Sequence, residues 1–121
     1  MKPRLAFVPG DPSGIGPELI AKLIHANIDD LPADILLVGD KHLWDQGAQQ
    51  ANLELSFNTI TEGEVTRFEG IAHLDLDTID QNAVKIATVS VESGHSSLRC
   101  LDKALDLSKE KLVDGILFAP F

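Results

Sequence analysis

The chain has 121 residues, of which 44% are hydrophobic, so it can bury one core and has the usual size of a single domain. Nineteen acidic side chains against ten basic ones give a formal net charge of -9. Coulomb repulsion from such a surface argues against nucleic acid and anionic membranes as partners. A phosphate-bearing ligand would need local donors, such as helix amino termini or basic residues outside this segment.

Cysteine usage and the amino terminus bear on the cellular compartment. Cys100 is the only cysteine, which excludes an intramolecular disulfide and a Cys-based zinc site and fits a reducing compartment. The apolar run from Leu5 to Val8 is too short for a signal-peptide core or a membrane span. We therefore expect a cytoplasmic protein whose first residues are mature structure.

The first predicted strand and helix are joined by a glycine-rich connection. Residues 5–8 form a short apolar run ended by Pro9 and Gly10, which favours a buried strand. Pro17 and Glu18 predict a helix start, because proline suits the first helical position and a negative charge suits the helix dipole. The helix is expected to end near Asn27. Its predicted apolar stripe consists of Leu19, Ile20, Leu23 and Ile24.

A second strand and helix follow in the same order. Asp34 to Val38 is apolar after its first residue and is closed by Gly39 and Asp40, which again favours a buried strand. Residues 41–51 predict a helix in which Gly47 is expected to weaken the helical conformation. The side chains expected to face the core are Leu43, Trp44 and Ala48.

The second half of the chain predicts further strands and one long helix. Residues 53–60 and 71–76 predict short strands separated by the polar stretch 61–69, and residues 84–89 have an extended pattern. Residues 113–119 form another apolar strand pattern. Between these last two segments a helical pattern starts at Ser90, with an apolar face predicted at Leu98, Leu101, Ala104, Leu105 and Leu112.

The alternation of strands and helices predicts the fold class. It is typical of a layered α/β/α domain with a mostly parallel, doubly wound sheet and right-handed crossovers. In such sheets ligands bind beyond the carboxyl ends of the strands. We therefore look for a site in the loops that follow the strands.

Glycines in the first strand-to-helix connection could bring a ligand close to backbone N–H groups. The pattern is not the Rossmann fingerprint, because Leu19 stands where the third glycine is required, and no Lys-Ser/Thr pair makes it a P-loop. The alternative is a turn whose glycines serve packing only, in which Asp and Ser side chains bond loop N–H groups. The candidate cofactor-binding residues are Gly10, Asp11, Ser13, Gly14 and Gly16.

The segment from Pro9 to Glu18, PGDPSGIGPE, carries a resemblance to a known family. It resembles the opening motif of the 4-hydroxythreonine-4-phosphate dehydrogenases of pyridoxal phosphate biosynthesis. It is also similar to the Gly-Asp-Gly-Ile-Gly-Pro-Glu motif of isocitrate and isopropylmalate dehydrogenases, which implies part of that superfamily's fold. Residues 92–95 (ESGH) and 114–120 (DGILFAP) resemble later stretches of the same family in the same order.

The resemblance implies that residues 1–121 are the amino-terminal portion of a larger dehydrogenase, without a complete second domain. Such an enzyme oxidises and decarboxylates 4-phosphohydroxy-L-threonine, a small phosphorylated hydroxy-amino acid, using NAD or NADP. It uses a divalent metal such as zinc, magnesium or cobalt as a Lewis acid and is a homodimer at full length. The family's metal-binding histidines lie downstream of Phe121, so we assign no catalytic or metal-binding residue to this chain and expect it to be inactive alone.

Other activities remain open at this stage. A related dehydrogenase could act on a four-carbon phosphosugar acid or on an aromatic cis-dihydrodiol, since the substrate-reading residues are expected beyond Phe121. A non-catalytic α/β module that binds an anion, or a stable proteolytic remnant, would also fit the glycine loop.

The remaining polar residues favour structural interpretations. The four histidines have no metal-ligand spacing, and they are His25, His42, His73 and His95. We interpret His95, at a helix start, as a surface or capping group, Cys100 as a small buried residue and Trp44 as a packing residue. An acidic cluster lacks the glycine and glutamate of an EF-hand and predicts a solvated loop; its members are Asp75, Asp77 and Asp80.

Overall fold

The structure, a computed structural model, describes residues 2–10, 16–27, 29–54, 57–80 and 91–118. These residues form a parallel sheet in the order β3-β4-β2-β1-β5. The elements in chain order are β1 (Arg4–Val8), α1 (Gly16–Ala26), β2 (Asp34–Val38), α2 (Lys41–Gln50), β3 (Asn58–Ile60), a 3₁₀ turn (Glu62–Glu64), β4 (Ile71–Leu74), α3 (Val91–Lys109) and β5 (Gly115–Phe118).

Helices cover both faces of the sheet. The side chains of the central strands alternate between these two faces, so each strand contributes to two buried clusters. In β1, Phe7 packs with α1 and α2 in one buried cluster, whereas Ala6 and Val8 pack with α3 in the other. In β2, Leu37 belongs to the cluster with α1 and α2, and Leu36 belongs to the cluster with α3. The predicted layered α/β/α class with a parallel sheet is confirmed.

The predicted apolar stripe of α1 is only partly right. Ile20 and Ile24 are buried against the sheet, but Leu19 and Leu23 are 40% and 48% exposed. The inner face is completed instead by Ala21. The buried face is therefore rotated from the predicted stripe, away from Leu19 and Leu23 and toward Pro17 and Ala21.

Gly47 in α2 lies very close to the start of α1. A Cβ atom on Gly47 would lie 2.5 Å from the backbone carbonyl carbon of Pro17, which real Cβ atoms essentially never do. The expectation that Gly47 only weakens the helix was therefore incomplete, because the absence of a side chain allows the two helices to pack. Leu43, Trp44 and Ala48 are buried as predicted.

The buried face of α3 differs from the predicted Leu and Ala face. Leu98 and Leu105 are 61% and 42% exposed, and of the predicted residues only Ala104 is fully buried. The residues that pack against the sheet and its loops are Ser96, Ser97, Cys100, Ala104 and Leu107. The prediction was right for Ala104 and for Leu112, which packs against the core, and wrong for Leu98 and Leu105. In the first turns of α3 the buried side faces polar loop atoms, for which serine is the suitable partner.

The middle strands are shorter than predicted. The segment after α2 opens with a turn in which Leu53 N–H donates to the Ala48 carbonyl, so β3 begins only at Asn58. β4 ends at Leu74, because the next residue, Asp75, contacts α2. The predicted extended segment 84–89 lies outside the described residues.

The polar stretch 61–69 covers the α3 side of the sheet. Its Val65 side chain is fully buried in the same cluster as the α3 residues, and Phe68 packs against that cluster. At the other side of the sheet β5 forms an edge in the described part of the chain, and Leu117 and Phe118 are 40% and 46% exposed. No helix among the described residues has the length and apolarity needed to cross a bilayer.

Candidate functional site

At the carboxyl edge of the sheet, two neighbouring strands are followed by helices that pack on opposite faces. From β2 the chain continues into α2, whereas from the adjacent β4 it continues toward α3 on the other face. Crevices at such points are the usual ligand sites of open α/β sheets. Here the crevice has a volume of about 540 Å³ and is lined by Asp40, Lys41, His42, Asp45, Asp75, Leu76 and Asp77.

Asp40 organises the inner wall of this crevice. Its side chain follows β2, is 2% exposed as a residue, and does not cap α2. Instead its carboxylate accepts hydrogen bonds from the Thr78 N–H at 2.9 Å, the Thr78 hydroxyl at 2.8 Å and the Ile79 N–H at 3.0 Å. Several donors compensate a buried carboxylate, and His42 Nε2 also lies 3.4 Å from Asp40 Oδ2. Asp40 therefore joins the loop after β2 to the loop after β4.

The hydroxyl chain continues from Thr78 to α3. Thr78 Oγ1 lies 2.6 Å from Ser96 Oγ, and because Thr78 donates its proton to Asp40, Ser96 donates to Thr78. Ser96 has no solvent exposure. The first turns of α3 are thus bonded to the same two loops.

Two histidines beside the crevice donate hydrogen bonds to backbone carbonyls. His73 is fully buried, and its Nε2–H donates to the Gly39 carbonyl at 2.6 Å while Nδ1 accepts from the Thr59 hydroxyl at 3.0 Å. His42 Nε2 donates to the Ile79 carbonyl at 2.9 Å, and its buried Nδ1 has no hydrogen-bond partner among the described residues. Both rings act here as structural groups.

The acidic loop is exposed as expected, but one member has a defined role. Asp75 accepts the backbone N–H of Lys41 at 3.0 Å and so satisfies the first turn of α2, which Asp40 leaves unbonded. Among the described residues, no three His, Cys, Asp or Glu side chains form a group that could hold a metal ion.

The glycine loop begins at Gly10, which is buried and has a φ of +77°, in the left-handed region that glycine adopts readily. Its carbonyl accepts the Ser97 hydroxyl at 2.9 Å in a buried hydrogen bond. Gly16 is buried at the start of α1. The other three candidate cofactor-binding residues, Asp11, Ser13 and Gly14, lie outside the described residues. The cofactor role of all five stays a prediction.

Trp44 and Cys100 both lie close to Gly39 at this edge of the sheet. An ideal Cβ on Gly39 would lie 3.4 Å from Trp44 Nε1 and 3.3 Å from Cys100 Sγ. Both side chains are buried, as predicted. Burial, with the nearby Asp40 carboxylate as the second cause, raises the pKa of Cys100 to about 12.

The raised pKa of Cys100 predicts a loss of stability at alkaline pH. The unfolded thiol ionises near pH 8.5, so above about pH 8.5 the unfolded state holds fewer protons than the folded state and unfolding becomes more favourable. We expect the wild type to lose more stability than Cys100→Ala between about pH 8 and about pH 10. Urea denaturation of both proteins at the two pH values measures this difference, and equal losses would contradict it.

Sequence reasoning missed the residues that hold this edge together. Ser96, Ser97 and Thr78 carry no motif, and their partners lie 18 to 87 positions away along the chain. The one available signal was Asp40, a carboxylate directly after a buried strand and a glycine.

The family can be assigned from the comparisons with known proteins. A model of the family described as pyridoxal phosphate biosynthetic protein PdxA matches residues 32–121, roughly three quarters of the chain. The chain belongs to the PdxA family. The segment from Pro9 to Glu18 lies ahead of the matched residues, so the match is independent of the motif that first indicated the resemblance.

Relatives of the PdxA chain match it over nearly its whole length. A protein of Pseudomonas aeruginosa, provisionally named 4-hydroxythreonine-4-phosphate dehydrogenase 2, is 35% identical over 98% of this chain and 36% of its own length. One of Fusobacterium nucleatum, provisionally named D-threonate 4-phosphate dehydrogenase, is 30% identical over 99% of this chain and 37% of its own. The crystal structure of 4-hydroxythreonine-4-phosphate dehydrogenase from Klebsiella pneumoniae superposes with a TM-score of 0.83 at 25% identity, covering 99% of this chain and 37% of that one. The chain thus spans little more than a third of these relatives.

Proposed function

We propose that this PdxA chain is the amino-terminal portion of a dehydrogenase that oxidises and decarboxylates 4-phosphohydroxy-L-threonine in pyridoxal 5'-phosphate biosynthesis. The observation that carries the proposal is the family match over residues 32–121. The name of the Pseudomonas aeruginosa relative supports the substrate. The full-length enzyme is a cytoplasmic homodimer in this proposal.

NAD or NADP is the proposed cofactor, and it accepts the hydride when bound. What supports this at the described start of the glycine loop is Gly10, which has a φ of +77° and no side chain that would keep a ligand from the main chain. The loop leads into the amino terminus of α1, an 11-residue helix whose dipole suits a phosphate. The chain has a net charge of -9, so its overall electrostatic field repels a phosphate. Binding therefore depends on the local attraction of this helix terminus.

A divalent metal such as zinc, magnesium or cobalt is the proposed Lewis acid, with ligands from residues outside this chain. Among the described residues, no three potential ligands lie together. The Nε2 atoms of His73 and His42 are already hydrogen-bonded to the backbone carbonyls of Gly39 and Ile79. What the described residues do is position the loops at the carboxyl edge.

The proposal is tested with the full-length protein. We expect it to reduce NAD or NADP in the presence of 4-phosphohydroxy-L-threonine and a divalent metal, followed by the near-ultraviolet absorbance of the reduced nicotinamide. Residues 1–121 alone are expected to give no turnover under the same conditions. Cofactor reduction by the isolated residues would contradict the assignment of the catalytic and metal groups to other residues. Absence of both turnover and cofactor binding in the full-length protein would favour a non-catalytic anion-binding module.

A second substrate is favoured by one observation, the name of the Fusobacterium nucleatum relative, D-threonate 4-phosphate dehydrogenase. Both substrates are four-carbon hydroxy acids with a terminal phosphate, and they differ in an amino or hydroxyl group. Comparing kcat/KM for the two compounds in the full-length protein decides between them. A higher kcat/KM for D-threonate 4-phosphate would overturn the hydroxythreonine assignment and leave the dehydrogenase class intact.

A further inference from the structure

The last two strands of the sheet, β1 and β5, form an apolar surface on the face that carries α1. Leu5 and Phe7 pair in register with Gly115 and Leu117, so these four residues point to the same face. That face is the α1 side, because Phe7 packs in the cluster with α1 and α2. Leu117 is 40% exposed there, whereas its neighbour Ile116 packs in the cluster with α3 on the other face.

One flank of α1 forms the wall beside this surface. Leu19 and Leu23 lie on the flank opposite to Pro17, as the helical period of 3.6 residues requires. Pro17 faces α2, since a Cβ on Gly47 would lie 2.5 Å from its backbone. Leu19 and Leu23 therefore face away from α2, toward β5, and are 40% and 48% exposed. We call this surface the α1/β5 groove, and it consists of Leu5, Phe7, Leu19, Leu23 and Leu117.

The groove deepens into an apolar cavity of about 170 Å³ beside Leu23, lined also by Leu5, Phe7 and Ile24. Among the described residues that line it, Asn27 alone is polar, and its side-chain amide already donates to the Leu23 carbonyl at 2.8 Å. An engineered apolar cavity of about 150 Å³ holds a benzene ring, so this space admits one Leu or Phe side chain.

The rest of this face carries two helices packed side by side. α1 lies on β1 and β2, where Ile20 and Ile24 share a cluster with Phe7 and Ile35, and α2 lies next to α1. Packed helices are about 8 to 10 Å apart, roughly two strand spacings, so the next position in this layer, away from α2, lies over β5. Parallel sheets are almost always covered by helices on both faces. The α1/β5 groove therefore has the position and the apolar chemistry of a site for one more helix.

A longer protein has enough chain to supply that helix, since residues 1–121 span only 36% and 37% of the two relatives described above. A second copy of the chain is a poorer occupant, because specific interfaces bury roughly 800 Å² per partner. The groove offers three partly exposed leucines, which are Leu19, Leu23 and Leu117. A helix of the same chain needs no such area, because its covalent link gives it a high effective concentration.

We propose that a helix from a part of the full-length protein outside residues 1–121 packs in the α1/β5 groove and places one large apolar side chain in the cavity. This inference rests on the proposed function, because it takes the chain as the amino-terminal portion of a longer dehydrogenase. The helix is amphipathic, with apolar residues three and four positions apart facing Leu19 and Leu23. The domain that begins at β1 is then completed by residues remote from it in sequence.

The test measures how fast a maleimide labels a cysteine introduced at either of two adjacent positions of α1. Leu23→Cys lies in the groove. Lys22→Cys is the matched control, because the Lys22 side chain is 55% exposed on the outer face of the same helix. In the full-length protein we expect Leu23→Cys to react at least about 100-fold more slowly than Lys22→Cys, since a covered position reacts only after local opening. In residues 1–121 alone the groove is open, and the two rates are expected to agree within about fivefold. Labelling of the protein without an added cysteine gives the background, to which the buried Cys100 contributes little.

Equal labelling of the two cysteines in the full-length protein would overturn the proposal, because the groove would then be open. Protection of Leu23→Cys already in residues 1–121 would assign the cover to this chain itself, and protection lost on dilution would assign it to a second copy. Leu19→Cys, on the same flank of α1, repeats the test if circular dichroism shows that Leu23→Cys does not fold. Labelling needs neither substrate nor cofactor, so its result is separate from turnover. A protein without dehydrogenase activity can still protect Leu23→Cys, and an active one can leave it open.

Discussion

Replacing Gly47 with alanine is expected to destabilise the chain by about 2 to 3 kcal/mol, although alanine is the better helix former. The new Cβ would lie 2.5 Å from the carbonyl carbon and 2.5 Å from the Cβ of Pro17. Both atoms belong to rigid groups at the start of α1, so the helices must separate. Separation would reduce the packing of Ile20 and Ile24 in the cluster they share with Trp44.

Gly94→Ala is the matched control for this change. Gly94 is also a helical glycine, but an added Cβ meets no atom within 4 Å, and its position is exposed. The control is therefore expected to be neutral or to stabilise by up to about 1 kcal/mol. Urea denaturation followed by circular dichroism gives both values. If Gly47→Ala unfolds at the wild-type midpoint, the close approach of α1 and α2 is wrong.

Strand and helix positions could be predicted here because they depend on local pattern. β2 has the predicted bounds, and β1 and α1 differ from the prediction by about one residue. Glycine or proline at the end of an apolar run marks the end of the element in the sequence itself. The buried face of α3 could not be predicted in this way. Hydrophobicity points to Leu98 and Leu105, whereas the first buried residues of α3 are two serines that bond polar loops distant in sequence.

The candidate site was predictable only as a location. Parallel topology places it at the carboxyl edge, and Gly10 is at that edge with the left-handed conformation that its residue type suggests. The bonds that shape the edge link residues 18 to 87 positions apart, so no local spacing encodes them. The packing role of Gly47 could not be predicted for the same reason, because its partner Pro17 lies in another helix.

Asp40→Ala is expected to reduce the free energy of unfolding by about 3 to 4 kcal/mol, because it leaves three donors without their acceptor in a buried position. Those donors are two N–H groups and the Thr78 hydroxyl, which itself accepts from Ser96. The loss therefore extends from the loop after β4 to α3. Urea denaturation measures it.

Asp45→Ala is the matched control, since Asp45 lies in α2 beside the same crevice and bonds Lys41 at 2.6 Å with its side chain 50% exposed. Exposed ion pairs of this kind contribute little, and a change below about 0.5 kcal/mol is expected. Asp40→Asn keeps one carbonyl oxygen as an acceptor and should fall between Asp40→Ala and the wild type. If Asp40→Ala and Asp45→Ala reduce the free energy of unfolding equally, the Asp40 carboxylate does not organise the carboxyl edge of the sheet. A large cost for Asp40→Ala alone would mean that the loops after β2 and β4 depend on one buried charge, which the acidic composition of the chain does not reveal.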